Sequence, residues 1–228
     1  MNFIKRQIRI KQTSTHLLKW FRPLKLNPKK ENFITILLVD ESGSMEIIKD
    51  ETIALMKNTI KASVTAELQN PNQEHYCAVV SFEGSSFKPI IPMIKPVEIG
   101  NHLYEQYYPG GNTPLYDAIA LTIRETEAAL INCENYQLSF YIITDGEENA
   151  SFNFNEKEIY DIIEAFKNKG WEFTFLGANI PVDEVASKIN INHHYTFQFS
   201  DEGVKELSNM VFKMQEEKFK RKRKNNRP

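Results

Sequence analysis

Three short segments of this 228-residue chain carry oxygen donors at a spacing that suits a hard cation. The first is Asp40-Glu41-Ser42-Gly43-Ser44, the second Gly110-Gly111-Asn112-Thr113-Pro114 and the third Asp145-Gly146-Glu147-Glu148. Together they offer the carboxylates of Asp40 and Asp145 and the hydroxyls of Ser42, Ser44 and Thr113. Hard oxygens without sulfur or imidazole suit Mg2+, Mn2+ or Ca2+ rather than softer metals. Two unpaired carboxylates about 4 Å apart repel by about 4 kcal/mol at an effective dielectric near 20. A divalent cation between them turns that cost into attraction, while the neutral hydroxyls fill coordination positions without adding charge. Such a site is left short of negative charge, and an anionic group from a partner, typically a carboxylate, completes it.

The hydrophobic pattern says which elements must position these segments. Phe33–Val39 is an unbroken β-branched and aromatic run, which suits a strand buried on both faces, and it ends directly at Asp40. A helical stripe of Ile48, Leu55, Met56, Ile60 and Val64 follows. Tyr76–Phe82 is a second buried run, and Phe87–Ile94 is close enough to form an antiparallel hairpin with it. Pro89 and Pro92 place that strand at an edge. A helix is expected after Pro114, with Leu115, Ala118, Ile119, Ile123 and Leu130 at helical spacing.

Leu138–Ile143 is the next strand and leads into Asp145. Asn155 with Glu158 reads as a capping box opening a helix that Gly170 closes. Trp171–Leu176 is then a strand, Val182–Ile189 a short helix and Tyr195–Phe199 a last strand, with Asp201 capping a final helix. Alternating strands and helices imply a doubly wound, Rossmann-like α/β fold. Its sheet is six-stranded and mostly parallel, with one antiparallel edge strand and helices on both faces. In such sheets ligands bind beyond the carboxyl ends of the strands, where the first and third polar segments fall.

DESGSM, GGNTPLYDAI and IITDGEEN resemble the three metal-site segments of the von Willebrand factor type A domain, whose site is the metal-ion-dependent adhesion site. The pattern of D-x-S-x-S, a distant Thr and a distant Asp is met by Asp40, Ser42 and Ser44, Thr113, and Asp145. The resemblance covers roughly residues 33–217. It implies Mg2+ or Mn2+ held by those five residues and an acidic side chain of a protein partner held in turn by the cation. Glu41, Gly111, Asn112, Gly146 and Glu147 would form the partner-binding rim. It further implies a non-enzymatic adaptor in a larger assembly, such as one with an AAA+ ATPase; lacking a secretory signal pattern, the chain looks more like the intracellular bacterial or phage-type members, with the cytoplasm as its expected address.

Plainer roles also follow from residue types. Thr113 before Pro114 has the look of a helix N-cap. Asp117, one turn into the helix, is expected to be a structural hydrogen-bond acceptor rather than a ligand, and Glu147 and Glu148 solvated rim charges. His193 and His194 are adjacent, so in a strand their rings point to opposite faces and cannot share one ion. Cys77 suits a buried strand position and is assigned no chemistry.

The formal charge of -2 conceals a strong asymmetry. Residues 1–30 hold nine Lys and Arg and no acid, and residues 218–228 hold seven more without an acid, leaving residues 31–217 at -18. The expected organisation is a basic N-terminal arm (1–30), one domain (31–217) and a basic C-terminal tail (218–228). An acidic body is a poor surface for phosphate backbones, so nucleic-acid contact falls to the tails. Trp20 and Phe21 are expected to pack the arm onto the domain; no continuous apolar core of a secretory signal is present. No apolar run approaches the roughly 20 residues of a membrane span.

Two cysteines exclude a disulfide-stapled scaffold. Two other functions compete with the adaptor: a metal-dependent hydrolase or phosphoryl-transfer enzyme, and a nucleic-acid-associated adaptor tethered by the basic tails. Against the enzyme, the chain lacks a G-x-x-x-x-G-K-[ST] loop, H-E-x-x-H and G-x-S-x-G, and the three polar loops hold no Lys or Arg.

Overall fold

The apolar runs form six strands: β1 (Glu31–Asp40), β2 (Gln73–Glu83), β3 (Ser86–Ile94), β4 (Tyr136–Thr144), β5 (Trp171–Ala178) and β6 (His193–Phe197). In the computed structural model they hydrogen-bond in the order β3-β2-β1-β4-β5-β6. Every neighbouring pair is parallel except β2 with β3, which is the antiparallel edge expected from the prolines. The structure describes residues 20–178 and 180–197, and beyond them residues 202, 203, 206, 209–213 and 217, all helical. The Asp201 cap and residues 218–228 lie outside the described residues.

Helices α1 (Lys49–Gln69), α2 (Leu115–Ala129), α3 (Glu156–Lys167) and α4 (Val182–Lys188) cover the sheet. A 3-10 turn, Gly43–Ile48, stands between β1 and α1. Side-chain alternation assigns the two faces. Ile34, Ile36 and Leu38 of β1 pack with Phe140 and Ile142 of β4 and with α2, α3 and α4. Leu37 and Val39 pack with Tyr141, Ile143 and α1 on the other face. A fully buried large aliphatic side chain contributes about 1.5–3 kcal/mol, so the central strands dominate the stability. The asparagine cap of α3 forms the expected capping box: Glu158 N–H donates to Asn155 Oδ1 and Asn155 N–H to Glu158 Oε2, both at 3.0 Å.

The last strand spans His193–Phe197 rather than starting at Tyr195, because it pairs with β5 from Thr174 onward. In it His194 Nε2 meets Asp183 Oδ1 at 2.9 Å, while His193 is exposed. Ahead of β1, Phe21 is buried and Trp20 half-buried against the α2 side of the core. Leu24 N–H donates to Ala129 O at 2.9 Å, so the chain before residue 31 is strapped along α2 from residue 20. Among the described residues no helix is long and apolar enough to cross a membrane.

His75 in β2 is fully buried, stacked on Phe33 with ring centroids 5.0 Å apart. Burial, helped by the Lys95 charge, lowers its pKa from 6.5 to about 4. The unfolded chain therefore takes up a proton before the folded one does. The stability given by the neutral ring is complete above pH 6.5 and is lost as pH falls toward 4, about 2 kcal/mol of it by pH 5. His75→Phe should flatten the decline of the urea midpoint between pH 7 and pH 5. Equal declines in the two proteins would remove His75 as the cause.

Candidate functional site

β1 and β4 are neighbours, yet the chain leaves β1 toward β2 on one side and returns through β4 on the other. Their carboxyl ends therefore flank the switch point of the sheet, where parallel folds open a crevice. Val39 pairs with Ile143, which sets Asp40 beside Thr144 and Asp145. Asp40 is 0% exposed. Its Oδ1 accepts from Ser42 N–H at 2.8 Å and its Oδ2 from the Thr144 hydroxyl at 2.6 Å. The Ser42 and Ser44 hydroxyls are 3.3 Å apart, and the Ser44 hydroxyl donates to Asp145 Oδ1 at 2.6 Å.

Thr113 joins this group through Gly146. A Cβ placed on Gly146 would lie 3.2 Å from Thr113 Oγ1 and 3.9 Å from Asp40 Oδ2, so both oxygens face one small backbone position. All five expected donors thus converge. Burial raises the pKa of Asp40 to about 6, against the opposing pull of its hydrogen bonds, with repulsion from Asp145 adding to the rise. Asp145 is also raised by burial. Neither carboxylate has an ion-pair partner among the described residues. An uncompensated pair of buried acids joined by hydroxyls is a donor set suited to a hard divalent cation.

Backbone contacts lace the three loops together. Gly43 N–H donates to Gly111 O at 3.1 Å, and Gly110 N–H to Glu41 O at 2.7 Å. The buried Tyr107 hydroxyl donates to Asp40 O at 2.7 Å. Asn149 brackets Thr113, accepting from its N–H at 2.9 Å and donating its own N–H to Thr113 O at 3.1 Å. Gly111 has φ +76°, a backbone conformation that favours glycine, and a Cβ there would also displace the end of the Glu83 side chain. Sequence reading missed Tyr107, Thr144 and Asn149; of these only Thr144 carried a signal, its adjacency to Asp145.

The rim differs from expectation at two acids. Gly111, Asn112 and Glu147 are exposed and Gly146 is half-exposed. Glu41, by contrast, is 1% exposed: its carboxylate pairs with Lys88 Nζ at 3.1 Å and accepts from Tyr108 N–H, which turns it away from any partner. Glu148, expected to be solvated, is held inward. It accepts from Tyr116 N–H at 2.9 Å, Ala150 N–H at 2.8 Å, and Ser151 N–H and hydroxyl, each at 2.6 Å. The first turn of α2 presents free N–H groups and a positive dipole end, which attract this carboxylate.

Asp117 acts as the expected structural acceptor. Its carboxylate receives N–H groups from Phe152, Asn153 and Phe154 at 2.9–3.2 Å, and Asn153 Nδ2 at 3.0 Å. The helix starts at Leu115 with Pro114 at its cap, one residue later than a capping role for Thr113 requires. Cys77 is buried, and burial pushes its thiol up to about 12, consistent with no chemistry. Among the described residues no group of three His, Cys, Asp or Glu side chains could hold a metal, so any cation bound here relies on the hydroxyls.

No protein-family model matches the chain. It is 27% identical over 122 residues to the magnesium-chelatase 67 kDa subunit of Heliobacterium mobile, covering 54% of this chain and 17% of that protein. Among solved structures it is similar to a von Willebrand factor type A protein from Catenulispora acidiphila, with TM-score 0.60 and 14% identity. That match covers 81% of this chain and 42% of the other. It is also similar to proximal thread matrix protein 1 of the mussel byssus, a structure with a zinc-occupied metal-ion-dependent adhesion site. There the TM-score is 0.56 and the identity 15%, over 82% of this chain and 46% of the other. The chain therefore spans less than half the length of each. At these identities the likeness establishes the fold, that of a von Willebrand factor type A domain.

Proposed function

We propose that this chain is a metal-dependent protein-binding module without catalytic activity of its own. Asp40, Ser42, Ser44, Thr113 and Asp145 hold Mg2+ or Mn2+, and the acidic side chain of a partner completes the shell. The observation that carries this reading is the pair of buried, uncompensated carboxylates, Asp40 and Asp145, joined through Ser42 and Ser44 at the switch point. A bound divalent cation supplies the positive charge that both these acids and a partner carboxylate lack.

The chain's own groups do the positioning. The hydrogen bonds from Ser42 N–H and Thr144 hold the Asp40 carboxylate in one orientation. Asn149 sets Thr113, and Gly146 leaves room for both. Lys88 and Lys49 approach this edge but are engaged by Glu41 and by the Tyr108 ring, so neither is positioned to neutralise a phosphate. That favours protein binding over phosphoryl transfer.

In this reading residues 31–217 are the module and the basic flanks 1–30 and 218–228 are accessory. The protein serves as an adaptor in an intracellular assembly, with an AAA+ ATPase as one kind of neighbour; the likeness to a subunit of a larger enzyme supports that placement. Titration calorimetry on the purified chain should detect saturable uptake of Mg2+ or Mn2+ at one site. A partner captured on the immobilised chain in Mg2+ should leave on chelation with EDTA. Absence of uptake, or a partner retained equally without metal, would overturn the proposal.

A further inference from the structure

Ile47, Tyr108 and Phe152 are 81%, 69% and 91% exposed. Each stands on one of the three loops that carry the five oxygens: Ile47 in the 3-10 turn after Ser44, Tyr108 ahead of Gly110, and Phe152 between β4 and α3. The remaining large exposed hydrophobics among the described residues, Leu68, Val97 and Ile131, lie at the other edge of the sheet. Large apolar side chains left in water are costly when clustered and mark contact surfaces.

These side chains stand on fixed backbone. Phe152 N–H is held by Asp117 Oδ2 at 3.0 Å, and the Tyr108 ring has Lys49 Nζ 4.2 Å from its centroid. The Tyr108 loop is bound to the Asp40 loop through Glu41 and the Gly43–Gly111 bond. The same edge also exposes Glu46, Glu105 and Glu147. Its two lysines, Lys49 and Lys88, are engaged by the Tyr108 ring and by Glu41, so the charges it leaves fully exposed are those acids.

Resting on the metal-dependent reading above, we infer that the occupant of this surface is a protein segment with one carboxylate flanked by apolar side chains and without a second acid close by. Apolar contact around a carboxylate bound at the site excludes water and strengthens the attraction in the lower local dielectric. Rigid aromatic anchors such as Phe152 and Tyr108 are the kind of residue that dominates interface energy. A second acid would face Glu46 and Glu147 and be repelled, which selects against polyacidic segments and nucleic-acid backbones alike.

Selection of short random peptides displayed on phage tests this. The immobilised full chain is loaded in millimolar Mg2+ and eluted with EDTA. Enriched peptides should carry a single Asp or Glu with Leu, Ile, Phe, Tyr or Trp within a few residues. A synthetic peptide from that set should bind the Ile47→Ser/Phe152→Ser double variant about tenfold or more weakly, while Mg2+ uptake by calorimetry stays as in the parent. Both changes are at exposed positions, and an unchanged melting temperature confirms that the variant folds. Acidic peptides without apolar neighbours, equal affinity for the two proteins, or no EDTA-eluted peptides would overturn this inference while leaving the cation site in place. Loss of Mg2+ uptake by the parent chain would instead remove the reading on which it rests.

Discussion

Asp40→Asn should cut Mg2+ or Mn2+ uptake by about a hundredfold or more, and it should make the metal-free protein more stable at pH 7. Two unit charges about 4 Å apart attract by about 4 kcal/mol at an effective dielectric near 20, and a divalent ion doubles that. After dehydration costs, losing about 3 kcal/mol of affinity corresponds to a factor of about a hundred. The stability effect has the opposite sign. The folded pKa of Asp40, about 6, lies above its ordinary value of 3.8, so folding has to bury a charge at neutral pH. That raised pKa favours the fold at low pH, and the benefit is lost as pH rises through about 6.

Asparagine removes the charge and keeps the contacts. Its Oδ1 can accept from Ser42 N–H as Asp40 does at 2.8 Å. Its amide can donate to Thr144 Oγ1, whose hydroxyl then turns to Gly146 O at 3.1 Å. In EDTA the variant should unfold at higher urea, with a gain of about 1–2 kcal/mol. In the parent, metal uptake should weaken about tenfold per pH unit below pH 6, as a proton competes for the Asp40 carboxylate. A variant that still takes up metal like the parent would remove Asp40 from the ligand set. One that is less stable without metal would show that its hydrogen bonds outweigh its buried charge.

The second large effect is expected at a residue that touches no ligand. Asp117→Ala strips the acceptor from the N–H groups of Phe152, Asn153 and Phe154 at once. Hydrogen bonds to a charged group are worth about 1.5–3 kcal/mol each, and water recovers part of the loss because Phe152 and Asn153 are exposed. A destabilisation of about 3 kcal/mol in urea unfolding is expected. The loop bearing Asp145 ends at these residues, so metal affinity should also fall by about tenfold, as for outer partners that orient ligands. Lys157→Ala on the exposed face of α3 supplies the control, since it loses only surface contacts, the ion pair with Asp161 and the approach to the Tyr160 ring. A loss below about 1 kcal/mol at Asp117 would mean that Glu148 and Asn149 hold the loop without it.

Local signals carried the elements whose environment is uniform. β1 is buried on both faces, so an apolar residue is required at nearly every step from Phe33 to Val39, and such a run reads without any knowledge of neighbours. The Asn155–Glu158 box is equally local, since both partners lie within one helical turn. The start of the first long helix was less legible. Gly43 N–H is drawn across to Gly111 O, and the chain keeps a tight 3-10 turn through Ile48 before α1 begins. The left-handed Gly111 likewise sits beside Glu83, at the distant end of β2.

At the site, sequence alone determined the donor chemistry and the ends of the strands that bear it: two carboxylates and three hydroxyls at segments following β1, preceding α2 and following β4. It also determined the charge of the body, which follows from composition. Tertiary structure decided what each carboxylate is for. Asp40 and Asp145 meet at the ends of β1 and β4 with no cationic side chain paired to either among the described residues, Glu41 is taken up by Lys88, and Glu148 and Asp117 tie α2 to the loop after β4. The physical reason is separation along the chain: these groups lie 32 to 105 residues apart. The pairing of β1 with β4, the β1-β2-β3 side of the sheet and the crossing of α2 bring them together, and no local periodicity encodes that approach.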